Sequence, residues 1–268
     1  MSEKTFPTIG RRTQVVAALA GLVALLAGLA IMSGPGNDAV AADHAVGAEG
    51  GASAAGKAVY LGRASAKRIP LCPQRCSGLA IVSGFQAKAG GVANAYQVPF
   101  VGKITRWRIK LGKPKASDMK FFQNRFGKQP QAAIGVLARK SQNGKVVYKL
   151  RRRSQIQNLT NFLGKTATFN VAGIKVNKGD YVALLVPTWA PALSTPRACQ
   201  VINGSMVNPT VCDQFNQNNS WVASRNRKTC GQAPNMKNSQ PQTKVNSVAS
   251  YGCRFNGALT YGVRVESR

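Results

Sequence analysis

Side chains that could perform acid-base chemistry are scarce in this sequence. Its 268 residues include eight Asp or Glu residues and a single histidine, His44. General acid-base catalysis at neutral pH usually draws on His, Glu or Asp, and residues 57–268 contain no histidine and only four carboxylates. We therefore expect no enzymatic activity and no cofactor. The four carboxylates are Asp118, Asp180, Asp213 and Glu266.

Basic residues dominate the chemistry that remains. The chain has 37 Lys or Arg residues and a formal net charge of +29. The first 56 residues hold three of these basic residues and four of the eight acids, so residues 57–268 carry 34 basic against four acidic side chains, a net charge of +30. Like charges within one fold destabilise its compact state. We therefore expect this part to bind an anionic polymer, for which a wall phosphopolymer, an acidic glycan and a nucleic acid all fit.

Two segments place basic side chains opposite an apolar face. The first, ITRWRIKL at residues 104–111, alternates with the period of a β-strand. This alternation predicts that Thr105, Trp107, Ile109 and Leu111 face a core. The opposite face would then carry Ile104, Arg106, Arg108 and Lys110.

The second such segment is KVVYKLRR at residues 145–152, where the pattern predicts that Val146, Tyr148 and Leu150 point inward. It follows Asn143-Gly144, a dipeptide typical of a two-residue hairpin turn. Together the two segments define a predicted polyanion-binding sheet face. Its residues are Arg106, Arg108, Lys110, Lys145, Lys149, Arg151, Arg152 and Arg153.

Trp189 is a candidate for a different kind of binding. It stands in VPTWAPA between Pro187 and Pro191, past an unbroken apolar run at residues 181–186. A tryptophan held rigidly in a loop could stack on a sugar, so one alternative function is a carbohydrate-binding module that uses Trp189. A tryptophan that merely covers the open end of a sandwich is the common structural explanation. A further alternative is a structural cell-surface domain without a soluble ligand.

Six cysteines, all within residues 57–268, indicate disulfides rather than a metal site. An even number in an exported chain is typical of a disulfide framework, although six cysteines allow 15 pairings. Proximity in sequence favours Cys72 with Cys76, Cys199 with Cys212, and Cys230 with Cys253. We expect no metal, because CPQRC at residues 72–76 has no second cysteine pair nearby and no histidine to complete a site.

Many short alternating segments, separated by Gly and Pro, predict an all-β fold. The last, at residues 257–266, places Leu259, Tyr261, Val263 and Val265 on one face. Only residues 117–126 have a helical pattern. Residues 213–248 are rich in Asn, Gln and Ser and predict a long surface excursion with one short strand around Trp221. The fold class we expect is an antiparallel sandwich of jelly-roll type, preceded by an N-terminal hydrophobic helix.

The N-terminus predicts export. Residues 15–32 form an 18-residue uncharged apolar run after Lys4, Arg11 and Arg12. This run covers about 27 Å as a helix, enough to span a bilayer core, and it also resembles a signal peptide. Residues 1–32 are thus a signal peptide or a transmembrane signal anchor, residues 33–56 a flexible linker, and residues 57–268 an extracellular domain. The domain is either held at the cell membrane or secreted after cleavage, and its oligomeric state is left open.

Several short motifs show a resemblance to a known group of proteins. Cys76 precedes a strand, and the chain then contains YQVP at residues 96–99, ITRW at residues 104–107 and KGD at residues 178–180. With these motifs the chain resembles an uncharacterised family of exported actinobacterial β-sandwich proteins, over about residues 76–265. The motifs are structural, so the resemblance implies the fold and export but no activity. The high positive charge of this chain departs from the family pattern.

Overall fold

The computed structural model describes residues 56–62, 65, 68–70, 72, 76, 78–225, 227–230 and 241–268. The predicted hydrophobic segment at residues 15–32 and all but the last residue of the predicted linker lie outside these residues. Within the described part, no helix is both long and apolar enough to cross a membrane.

Strands make up about half of the described chain, which also has two α-helices and short 3-10 turns at Thr160–Phe162, Arg197–Cys199 and Arg227–Thr229. In chain order the elements are β1 (Ala58–Leu61), β2 (Leu79–Ala89), β3 (Val92–Ala93), β4 (Gly102–Lys110), α1 (Ala116–Phe126), β5 (Gln131–Gln142), β6 (Lys145–Arg153), β7 (Gln157–Asn158), β8 (Thr166–Val176), β9 (Tyr181–Ala190), β10 (Leu193–Ser194), β11 (Val201–Ile202), β12 (Ser205–Met206), α2 (Pro209–Asn218), β13 (Ser220–Ala223), β14 (Val248–Ala249), β15 (Cys253–Asn256), β16 (Ala258–Leu259) and β17 (Tyr261–Ser267).

The long strands form two antiparallel sheets. The small sheet has the order β1-β17-β4-β8. The large sheet has the order β14-β6-β5-β9-β2-β13-β15, with β3 paired to β2 and β7 paired to β5. Two separate strand pairs, β10-β16 and β11-β12, complete the pattern. The described chain is therefore mostly β and antiparallel, which is consistent with the predicted all-β sandwich.

Both sheets contribute to one hydrophobic core. The small sheet supplies the predicted inward residues Trp107, Ile109, Val263 and Val265, and the large sheet supplies residues of β5 and β9 such as Ile134. A second apolar cluster covers the other face of the large sheet and contains Phe85, Leu150 and Tyr251. Strand β9 lies between these two clusters, which confirms that the apolar run at residues 181–186 is buried on both sides.

A β-bulge changes the predicted faces of β4. In the pairing of β4 with β17, Arg106 stands opposite Arg264 and Ile104 opposite Val265, so Thr105 is the extra residue. Because a bulge reverses the alternation, Ile104 joins Trp107 in the core with no exposed surface, whereas Thr105 is half-buried. The predictions that Thr105 faces the core and that Ile104 lies on the cationic face are wrong. Leu111 is buried as predicted.

The predicted hairpin between β5 and β6 is confirmed. Asn143 and Gly144 both have positive φ, 50° and 70°, as a type I′ two-residue turn requires. Leu150 is buried as predicted, but Val146 is 44% exposed. The prediction for Val146 is wrong because this end of the hairpin extends beyond the apolar cluster, which reaches only to the half-buried ring of Tyr148.

Helix α1 confirms the predicted helical segment at residues 117–126, but α2 falls where we predicted surface excursion. Asn208 caps α2, since its side-chain oxygen accepts a hydrogen bond from the Val211 N–H at 3.1 Å, and Pro209 occupies the first helical position. The short strand predicted around Trp221 is confirmed as β13. Gln242, from the same predicted excursion, is buried and donates through its side-chain amide to the Tyr148 carbonyl oxygen at 2.9 Å.

All three predicted disulfides are confirmed. Cys72 pairs with Cys76, Cys199 with Cys212, and Cys230 with Cys253. The second disulfide ties the first turn of α2 to the preceding 3-10 turn. The third ties the chain after β13 to β15 at the edge of the large sheet.

Candidate functional site

Strand β6 ends in a run of arginines, and three adjoining clefts surround them. The first cleft, of about 360 Å³, lies against Lys149, Arg151 and Arg152. The second, of about 490 Å³, shares Arg151 and Arg152 with the first and adds Arg153. The third, of about 330 Å³, shares Arg153 with the second. We call this region the cationic surface, and its basic residues are Lys140, Lys149, Arg151, Arg152, Arg153 and Lys175.

A second β-bulge shapes this surface. Arg152 stands opposite Val136 and Leu150 opposite Leu137, so Arg151 has no partner residue on β5. A bulge re-aims side chains and bends its strand. Here it brings consecutive arginines to the same set of clefts, where strict alternation would direct every second one to the opposite face of the sheet.

Among the residues that the structure describes, only one carboxylate contacts the cationic surface. Arg151 Nη1 lies 3.6 Å from Asp180 Oδ1, and Asp180 Oδ2 accepts a hydrogen bond from the Asn177 N–H at 2.9 Å. In the part of the chain that the structure describes, the one other ion pair joins Arg264 to Glu266. The carboxylate of Asp180 therefore contacts both Arg151 and the turn that precedes β9.

Arg152 and Arg153 donate to backbone carbonyls rather than to carboxylates. Arg152 Nη1 donates to the Lys175 carbonyl oxygen at 3.4 Å, and Arg153 Nη1 donates to the Ser154 carbonyl oxygen at 2.9 Å. Both side chains are exposed. A neutral acceptor positions a guanidinium without cancelling its charge, so these two arginines keep their positive charge at the surface of the clefts.

The predicted residues on β4 belong to the small sheet, and Arg106 connects them to the cationic surface. Arg106 Nε donates to Asn170 Oδ1 at 3.2 Å, and Asn170 lines the third cleft together with Arg153. Arg108 and Lys110 follow farther along β4, half-buried and outside these three clefts. Lys145 is exposed at the start of β6, next to the hairpin turn. The predicted polyanion-binding residues therefore lie on two different sheets, those of β4 on the small sheet and those of β6 on the large sheet.

Trp189 does not form a stacking platform. It belongs to β9, has no exposed surface and stacks on Phe122 of α1, with ring centres 4.9 Å apart and planes inclined by 12°. Its Nε1 donates to the Gly127 carbonyl oxygen at 2.9 Å. The strand continues through Pro187 because pairing with β5 stops at Leu185, so the missing N–H interrupts no ladder there. The predicted stacking role of Trp189 is wrong, since its ring holds α1 against the large sheet.

Sequence reasoning missed four residues that line the first two clefts: Lys140, Lys175, Asn177 and Asn246. Lys140 stands in β5 opposite Val147 of β6, so the predicted hairpin register could have placed it near Lys149. Lys175 and Asn246 come from distant parts of the chain, and no local pattern links them to β6.

No protein-family model, curated protein or solved structure matches this chain.

Proposed function

We propose that this chain is a non-catalytic, exported binding protein whose cationic surface holds an anionic polymer outside the cell. The observation that carries this proposal is that three adjoining clefts share Arg151, Arg152 and Arg153, while a single carboxylate of the described chain contacts these arginines. Bound phosphate, sulfate or carboxylate groups would supply the counter-charge that the domain lacks. Arginine suits this task because its planar guanidinium can donate two parallel hydrogen bonds to such a group.

The arrangement favours a polymer over a single small anion. The clefts adjoin through shared side chains, so a chain of repeating anionic groups could contact several of them at once. Each neutralised charge on a polymer also releases condensed counterions, which favours binding at low salt. A wall phosphopolymer, an acidic glycan and a nucleic acid all have the required chemistry.

Export and attachment to the membrane belong to the same proposal. Three disulfides are compatible with an oxidising compartment outside the cytoplasm. The hydrophobic segment at residues 15–32 would either anchor the chain in the membrane or be removed during secretion.

Binding of polymers to the full chain tests the proposal. The probes are polyphosphate, polygalacturonate and single-stranded DNA, and the variant is Arg152→Glu/Arg153→Glu. Its matched control, Lys120→Glu/Lys128→Glu, removes the same charge at exposed positions on and after α1. We expect the arginine variant to lose at least about tenfold in affinity for the polymer that wild type binds best, since charged hydrogen bonds contribute about 1.5–3 kcal/mol each.

Two outcomes would contradict the proposal. Equal losses in both variants would show that net charge, and not the cationic surface, controls binding. Absence of saturable binding to all three polymers would favour a structural surface domain without a soluble ligand.

We also infer that the two sheets form a jelly roll. Eight main strands follow one another along the chain: β1, β2, β4, β5, β6, β8, β9 and β17. If they are numbered one to eight in that order, the small sheet has the order 1-8-3-6. The large sheet contains the neighbours 2-7-4-5. This alternation supports a pair of Greek keys wrapped into two sheets. The predicted hydrophobic helix would precede it.

A further inference from the structure

A larger and mostly apolar cleft lies between α1 and one end of the large sheet. Its volume is about 750 Å³, within the range of about 300–1,000 Å³ that is usual for small-molecule sites. Helix α1, strands β2, β13 and β15 and the neighbouring loops form its walls. The aromatic residues in the lining are Phe121, Phe122, Phe126, Trp221 and Phe255. None of the basic residues of the cationic surface lines this cleft.

Within the described part of the chain, three polar atoms of the lining are buried without a hydrogen-bond partner. They are Trp221 Nε1, Arg225 Nε and Asp118 Oδ2. The Trp221 side chain belongs to a residue that is only 7% exposed. Buried polar atoms in native proteins are almost always paired, and each exception needs a specific explanation. An apolar lining with a few unpaired polar groups, here two donors and one acceptor, is the feature expected of a ligand site.

Two of these groups are charged, and the positive charge of Arg225 is less compensated than the negative charge of Asp118. No carboxylate pairs with it in the part of the chain that the structure describes, and burial lowers the pKa of its guanidinium. Asp118 differs, because it lies in the first turn of α1, where the helix dipole stabilises a negative charge. A ligand that places a negative group beside Arg225 is therefore favoured over one that places a positive group beside Asp118.

The backbone of β2 is distorted beside the cleft. Ile81 has φ of 45°, a left-handed conformation that is rare for a β-branched residue. It lies in the bulge where pairing with β9 skips from Ala80 to Val82, and both of these residues line the cleft. Backbone strain of this kind concentrates at binding sites, where the surrounding structure maintains it.

We propose that this cleft binds an amphipathic carboxylate, a molecule with an acyl or aryl body and one carboxylate group. The body would pack against the phenylalanines of α1 and against Phe255, and the carboxylate would accept hydrogen bonds from Trp221 Nε1 and Arg225 Nε. Asp118 Oδ2 would accept a hydrogen bond from a hydroxyl or amide of the ligand. A free sugar fits less well, because the lining is mainly apolar. An alkylammonium ion fits less well, because two of the three unpaired atoms are donors.

Photolabelling of the full chain with a dodecanoate that carries a diazirine on its alkyl chain tests this site directly. Peptide mapping then reports where the label resides, which separates the cleft from the apolar segment at residues 15–32. We expect the label on the peptides that contain Phe121 and Phe255, with competition by unlabelled dodecanoate but only weak competition by dodecylamine. Label confined to residues 15–32, or label that dodecanoate does not displace, would overturn the proposal.

Two variants separate the role of the head group from that of the body. Arg225→Gln should weaken competition by dodecanoate at least about tenfold and leave competition by dodecanol unchanged. Phe121→Ser, at a residue that is 52% exposed, should weaken both competitors. Lys120→Gln on the same helix is the control and should change neither. Equal effects of Arg225→Gln on dodecanoate and dodecanol would contradict the assigned role of Arg225. Binding of anionic polymers should be unaffected by all three variants, so the two proposals can fail separately.

Discussion

The guanidinium of Arg151 contacts the carboxylate of Asp180 at 3.6 Å, at the point where β6 bulges beside the turn that precedes β9. Asp180 is 4% exposed and its second oxygen accepts the Asn177 N–H. One carboxylate thus shapes a turn and neutralises one of three successive arginines. Arg152 and Arg153 are left as the charges that the cationic surface offers to a ligand.

Asp180→Asn tests this double role. The amide cannot neutralise Arg151, so the cationic surface gains one unit of positive charge, and we expect affinity for the best-bound anionic polymer to rise about two- to fivefold at low salt. The free energy of unfolding should fall by about 1–3 kcal/mol, because a buried charged partner is lost. Polymer titration and chemical denaturation measure the two effects. If the folded variant bound the polymer more weakly than wild type, Asp180 would not lower the affinity by neutralising Arg151, and the prediction would be wrong.

Trp189 should matter for stability and not for polymer binding. Trp189→Ala removes a fully buried indole that stacks on Phe122 and binds the Gly127 carbonyl oxygen. We expect a loss of about 3–5 kcal/mol in the free energy of unfolding, measured by urea denaturation. Trp189→Phe, which retains a stacked ring, should lose less. Unchanged stability with loss of ligand binding would restore the predicted stacking role.

Alkaline pH should destabilise the fold through its buried tyrosines. Burial raises the pKa of Tyr96, Tyr251 and Tyr261 above the ordinary value of 10.0. Above about pH 10 the unfolded chain releases phenolic protons that the folded chain retains. The stability these groups contribute is therefore complete below pH 10 and is lost as the pH rises beyond it.

Thermal melting between pH 8 and pH 11.5 measures this dependence. Tyr251→Phe loses the hydrogen bond that the hydroxyl donates to Gln242 Oε1, so it should melt lower at pH 8, but its melting temperature should fall less steeply above pH 10. A slope identical to that of wild type would show that Tyr251 does not carry the alkaline transition.

Local patterns predicted the parts of the fold that local physics determines. Asn143-Gly144 supplies the positive φ values that a two-residue turn requires, so the β5-β6 hairpin follows from the sequence. The disulfides join cysteines 4, 13 and 23 residues apart, and proximity was sufficient to pair them. Helix α2 could also have been predicted from the sequence, because Asn208 followed by Pro209 is a standard start of a helix.

Bulges and tertiary packing account for what the patterns missed. Alternation along β4 cannot reveal the extra residue at Thr105, which depends on pairing with β17. The burial of Trp189 depends on α1, which is distant in sequence. The cationic surface, too, could be predicted only in part from the sequence. Its arginines are visible in the sequence of β6, but the bulge at Arg151 and the approach of Lys175 are products of the folded chain.

The dependence of polymer affinity on salt tests the central claim most directly. With a single-stranded DNA probe, the logarithm of the association constant should fall linearly with the logarithm of NaCl concentration. We predict that Arg152→Gln/Arg153→Gln lowers the steepness of this line by about 0.7 for each arginine that contacts the polymer, whereas Lys120→Gln/Lys128→Gln leaves it nearly unchanged. The same slope in wild type and both variants would contradict the account, because binding would then not involve Arg152 and Arg153.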